Sequence, residues 1–78
     1  MIKYYIQVDT SFGYQSNLIE IKEAAFKDEC VRCVSVVDNN LDDYFKRKTI
    51  DEFDDRIQTE YTFGFVYTDI HLIKIEYK

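Results

Sequence analysis

Cys30-Val31-Arg32-Cys33 is a C-x-x-C. Redox enzymes place that spacing at a helix N-terminus, where the helix dipole lowers one thiol pKa. Here it falls inside an apolar stripe. Across residues 26–47, apolar side chains stand at Phe26, Cys30, Cys33, Val34, Val37, Leu41, Tyr44 and Phe45. These steps of three and four form one face of an α-helix, with both sulfurs at core positions, so two buried, reduced cysteines are expected. A structural zinc needs four ligands, and the chain adds only His71. His71 has no Ser, Cys or Asp at a recognised catalytic spacing and reads as a face-exposed or cross-strand-bonded residue. Gly13 and Gly64 are the only glycines, too few for a phosphate loop. No catalytic set, metal or cofactor is expected. A metal or thiol protein built on Cys30, Cys33 and His71 is the least favoured alternative.

The acids carry more information. Residues 38–60 hold eight of them (Asp38, Asp42, Asp43, Asp51, Glu52, Asp54, Asp55 and Glu60) against Lys46, Arg47, Lys48 and Arg56, so −4 of the net −5 falls there. The plain reading is a solvated helical face. The sharper one is an array of carboxylates presented to a basic groove, either imitating phosphate spacing or simply docking. Asp42-Asp43 and Asp54-Asp55 lack the glycine turn and regular oxygen spacing of a calcium loop.

Tyrosine is the second surface signal. Seven tyrosines exceed what one sheet face can bury, which leaves Tyr5, Tyr14, Tyr44 or Tyr77 near the surface. Tyrosine contributes large contact area with few rotatable bonds and is enriched at interface centres. The candidate partner-binding residues are therefore Asp42, Asp43, Tyr44, Asp51, Glu52, Asp54, Asp55 and Tyr14.

The elements that must position these residues follow from periodicity. Residues 2–9 alternate, with Ile2, Tyr4, Ile6 and Val8 on one face, and read as a strand. Phe12-Gly13-Tyr14 belongs to a turn, and its aromatics either fold over the core edge or form an exposed contact pair. Residues 17–23 read as a strand closing a hairpin, with a helix start on an Asn17/Glu20 capping box as competitor. Residues 24–37 carry the helix. Asp38-Asn39-Asn40 breaks it, since an unbroken helix to residue 47 would run about 36 Å beside strands of about 26 Å.

A second short helix is expected from Asn40, with Lys46, Arg47 and Lys48 at its end complementing the dipole. Thr49-Ile50-Asp51-Glu52 is a capping box opening one more helical turn or two. Residues 60–67 and 70–77 alternate again and form a hairpin around Thr68-Asp69, with Gly64 marking a bulge or a close neighbour. The expected fold is α+β, a four-stranded mainly antiparallel sheet with helices on one face, in the order β-β-α-(α)-β-β.

Seventy-eight residues bound this to one domain over 1–78, with little room for a pocket beside a core. A net charge of −5 disfavours direct contact with nucleic acid or anionic membrane. No apolar run approaches a bilayer span, and MIKYYIQVD lacks a signal-peptide core, so a cytoplasmic protein is expected.

In type, the chain resembles the small, acidic, single-domain inhibitors that phages make against bacterial defence, anti-CRISPR proteins among them. The resemblance lies in 78 residues from Met1, the acidic 38–60 segment, the tyrosine content and the strand-into-helix passage IEIKEAAFKDECVRC. It implies a non-enzymatic protein that binds a CRISPR effector or similar nuclease and blocks its nucleic-acid site. The alternative is a self-associating structural or assembly protein, a homodimer joined through an open sheet edge.

Overall fold

Alternation over the first residues becomes β1 (Ile2–Thr10), paired on one side with the short β2 (Ile19–Ile21). The helix α1 follows as Glu23–Asp38, then β3 (Phe45–Glu52), β4 (Arg56–Phe65) and β5 (Thr68–Tyr77). The computed structural model describes residues 1–40 and 44–78. All neighbouring strands are antiparallel, in the order β2-β1-β5-β4-β3.

α1 lies on one face of this sheet. Its stripe buries Phe26, Cys33 and Val37 against Phe63 and Leu72, with Tyr4, Ile6, Cys30, Val34 and Tyr61 packed around them. Phe26 sits between two strand tyrosines, its ring centroid 4.8 Å from Tyr4 and 6.0 Å from Tyr61. Such tilted aromatic contacts add specificity to the burial. The helix stops where Asn39 and Asn40 turn back, their side-chain amides donating to the Ser35 and Val36 carbonyls at 2.9 and 2.8 Å. Ser35 O also accepts the Asn39 backbone N–H at 3.2 Å, so the asparagine amides reinforce the last helical carbonyls where the ladder ends.

The expected four-stranded sheet with additional helices is incorrect. The sheet has five strands, and residues 45–52, expected to be helical, form β3. Glu52 of the expected capping box is the last residue of that strand. β4 exposes a full row of backbone groups on the side away from β5, and β3 satisfies them over eight residue pairs from Phe45↔Gly64 to Glu52↔Ile57. Ladder pairing over that length outweighs a local helix signal.

The second hairpin also turns earlier than expected. Phe65 pairs with Thr68, so the loop is Val66-Tyr67, with Tyr67 at φ 65°. Gly64 sits in an unbroken register and marks a close neighbour, the ring of Phe45, which lies where a Cβ would project. Among the described residues, no helix is long and apolar enough to cross a membrane.

Candidate partner-binding surface

Register fixes which side chains share the face that α1 leaves open. Gln7, His71, Thr62 and Arg47 form one row across it, and Asp9, Asp69, Gly64 and Phe45 the next. His71 Nε2 stands 2.9 Å from Asp9 Oδ2, and Nδ1 stands 3.2 Å from Thr62 Oγ1. The tautomer that satisfies both has Nε2–H donating to Asp9 and Nδ1 accepting from Thr62. Glu60 Oε2 lies 3.5 Å from the same hydroxyl. This Asp-His-Thr chain has the look of a nucleophile and base, but Thr62 is almost wholly buried, so its hydroxyl has no room to meet a substrate. It cross-links three strands. His71 is thus cross-strand-bonded, the second of the two expected readings.

The C-x-x-C offers no reactive thiol. Burial, reinforced by the charges of Cys33 and Glu29, pushes the Cys30 thiol up to about 11, and burial also raises Cys33. A catalytic cysteine needs the opposite shift. Among the described residues, no three His, Cys, Asp or Glu side chains are grouped as metal ligands.

The expected partner-binding residues divide between the two ends of the sheet. Asp51 and Glu52 close β3, and Asp54 and Asp55 lie in the turn after it; all four are exposed. Two are engaged within the chain. Glu52 pairs with Lys78 at 3.1 Å and Asp55 with Arg56 at 2.9 Å, while the Arg56 guanidinium lies 4.2 Å from the Phe53 ring centroid. Exposed pairs of this kind are weak, but they lower the field this end presents. Asp42 and Asp43 lie outside the described residues.

Tyr14 stands at the opposite end, where β1 and the β4–β5 turn finish together. The loop after β1 is held by backbone and hydroxyl bonds, Thr10 N to Tyr14 O at 2.8 Å and Tyr14 N to Thr10 Oγ1 at 3.2 Å, with Gly13 at φ 87° completing the bend. Ser11 N donates to Tyr67 O at 3.0 Å and joins this loop to the β4–β5 turn. The result is a raised aromatic cluster. Phe12, Tyr14 and Tyr67 are 82%, 62% and 64% exposed, and the Phe12 and Tyr67 rings lie 5.7 Å apart and 31° from parallel. Of the two readings for the Phe12/Tyr14 turn, the structure takes the exposed one. Tyr44 reaches the same end but is half-buried, edge-on to Phe65 at 5.4 Å.

Beside the cluster is a shallow cleft of about 240 Å³, lined by Asp9, Ser11, Phe65, Tyr67 and Asp69 among others. Asp9 and Asp69 are direct cross-strand partners, a juxtaposition of like charges that costs stability. Asp9 Oδ1 is buried without a hydrogen-bond partner. Residues 9–18 and 65–69 contain no lysine or arginine, so the two segments that carry the cluster bring only acidic charge. Aromatic faces beside carboxylates suit a guanidinium or ammonium group, which stacks on the ring and pairs with the acid. Sequence reading missed Asp9, Tyr67 and Asp69, because only the β1–β5 and β4–β5 registers bring them together. No family model matches the chain, and no match was found among curated proteins or solved structures.

Proposed function

We propose that this chain is a non-enzymatic acidic binding protein that acts in the cytosol by occupying a basic, nucleic-acid-binding surface of a larger protein, a CRISPR effector or other defence nuclease being the class its size and charge suit. The observation that carries this reading is the exposed Phe12–Tyr67 pair, with Tyr14 beside it, set against the Asp9 and Asp69 carboxylates. Large exposed aromatics supply the anchor of an interface. Carboxylates on segments that carry no lysine or arginine supply its charge preference. The Asp51–Asp55 end lies the length of the sheet away and contributes long-range attraction more than contact.

The test is capture from a bacterial lysate that contains defence nucleases, at low and then high salt, with wild type and a Phe12→Ala/Tyr14→Ala variant side by side. The expected result is a large nuclease retained by wild type alone, eluting with salt and unable to bind DNA while in the complex. Equal retention by the variant, or undiminished DNA binding by the captured protein, would overturn the reading.

A further inference from the structure

β3 is an edge strand of eight residues, every one of them exposed, and among the described residues nothing pairs with its outer side. Its ladder phase is fixed by the turn that follows. Phe53 N donates to Arg56 O at 2.8 Å, and that pair continues the β3–β4 register. Hydrogen-bonded and non-bonded pairs alternate along an antiparallel ladder. Phe45, Arg47, Thr49 and Asp51 therefore turn their backbone groups toward β4. Lys46, Lys48, Ile50 and Glu52 turn theirs outward.

The strand reads FKRKTIDE, three bases followed, after Thr49 and Ile50, by two acids. We propose that β3 pairs with β3 of a second copy of this chain, antiparallel about a two-fold axis at Thr49, to make one continuous ten-stranded sheet.

Symmetry narrows the register. Two antiparallel strands related by a two-fold axis in one sheet keep the same face up, so odd-numbered residues must oppose odd-numbered ones. Centred on Thr49, Lys46 faces the partner's Glu52 and Lys48 faces the partner's Ile50. All four outward residues of each copy are then used, giving about eight hydrogen bonds. On the open face Arg47 meets the partner's Asp51, and Phe45 meets the partner's Phe53. Phe45, Ile50 and Phe53, exposed in the single chain, are covered together. A shift by two residues in either direction fails. One direction sets Lys48 against the partner's Lys48; the other sets Arg47 against the partner's Phe53. Either leaves outward backbone groups without partners in β3.

Lysines on an edge strand also serve to repel strand addition. A guard of that kind would keep one sign along the strand. Here the second half cancels the first when the strand is reversed, so the charge order favours pairing with itself. The β3 edge begins at Phe45, in the same row as Asp9 and Asp69, but neither Phe12 nor Tyr67 takes part in the pairing, and the two proposals stand or fall separately.

Sedimentation equilibrium of the full chain tests the pairing. Wild type is expected to be a concentration-dependent dimer weakened by salt. Arg47→Asp and Asp51→Arg each place like charges together at two symmetric sites, and each should raise the dissociation constant roughly tenfold or more. Mixing these two single variants should give a heterodimer, because every opposed pair is then of opposite sign. Arg47→Asp/Asp51→Arg in one chain should restore the homodimer. Circular dichroism controls for folding. Amide exchange gives an independent readout: Lys46, Lys48, Ile50 and Glu52 should be protected in wild type and exchange freely in Arg47→Asp. A monomeric wild type at NMR concentrations overturns the proposal. So does a dimer that Arg47→Asp leaves unchanged, or a mixture of the single variants no more associated than either alone.

Discussion

The ring of Phe45 lies across Gly64 on the neighbouring strand, occupying the space a Cβ at residue 64 would need. The glycine leaves a bare patch of sheet, and the aromatic side chain of the edge strand fills it. Gly64→Ala should therefore push Phe45 toward solvent and destabilise the fold by about 1 kcal/mol. In a Phe45→Ala background the same change should be neutral or stabilising, since alanine orders the strand better than glycine. Urea unfolding of the four proteins in the cycle measures the coupling. A coupling near zero would mean that the ring does not cover the glycine in solution.

The same contact shows why the chain was only partly legible. The helix was readable because Phe26, Cys30, Cys33 and Val37 are spaced for one buried face, and the strands next to it alternate because one of their faces meets that helix. β3 has neither property. It is exposed on both faces at the sheet edge, so no apolar alternation marks it, while Thr49-x-x-Glu52 and the basic run mimic helix termini. What makes it a strand is the ladder along β4, a non-local term that local propensity cannot register. Both turns at 53–55 and 66–67 lack glycine and proline, which removed the usual punctuation. For the site, exposed Tyr14 was visible from composition, but its convergence with Tyr67, Asp9 and Asp69 depends on which strands are neighbours.

Tyr67 holds φ 65° in the two-residue β4–β5 turn, a conformation that bulky L-residues reach at a cost of about 1–2 kcal/mol. Asparagine tolerates it better. Tyr67→Asn should raise stability by up to about 1 kcal/mol, the strain relieved exceeding the loss of an exposed contact with Phe12. The same change should weaken partner capture. Thermal unfolding alongside the capture assay checks both. A clear loss of stability would show that the tyrosine supports the turn instead of straining it.

Cys30 gives a pH prediction with a definite sign. Its folded-state value of about 11 lies above its ordinary value of 9.0, so folding favours the protonated thiol. That stabilisation is intact below pH 9 and is lost as pH climbs from 9 toward 11. Thiol titration with an aromatic disulfide at neutral pH should modify Cys30 slowly. Cys33, fully buried, should react only on unfolding. Fast labelling of either residue in the folded protein at neutral pH would contradict this burial and reopen the C-x-x-C as a reactive pair.

The two ends of the sheet should leave different kinetic signatures on the captured partner. At the aromatic end, Phe12→Ala/Tyr14→Ala removes contact area that is desolvated only in the complex. Dissociation should then speed up, and affinity should fall roughly thirtyfold or more. Both side chains are exposed in the free protein, so its own stability should barely change. At the far end, Asp54→Lys/Asp55→Lys reverses charge on a turn where Arg56 already pairs with Asp55, beside the Glu52–Lys78 pair. That should slow association and flatten its salt dependence while leaving dissociation nearly unchanged. Surface-resonance measurements across a salt series separate the two. If the carboxylate variant alone abolished binding, and did so through dissociation, contact would lie at the Asp54–Asp55 turn, and the aromatic end would lose its claim to be the docking surface.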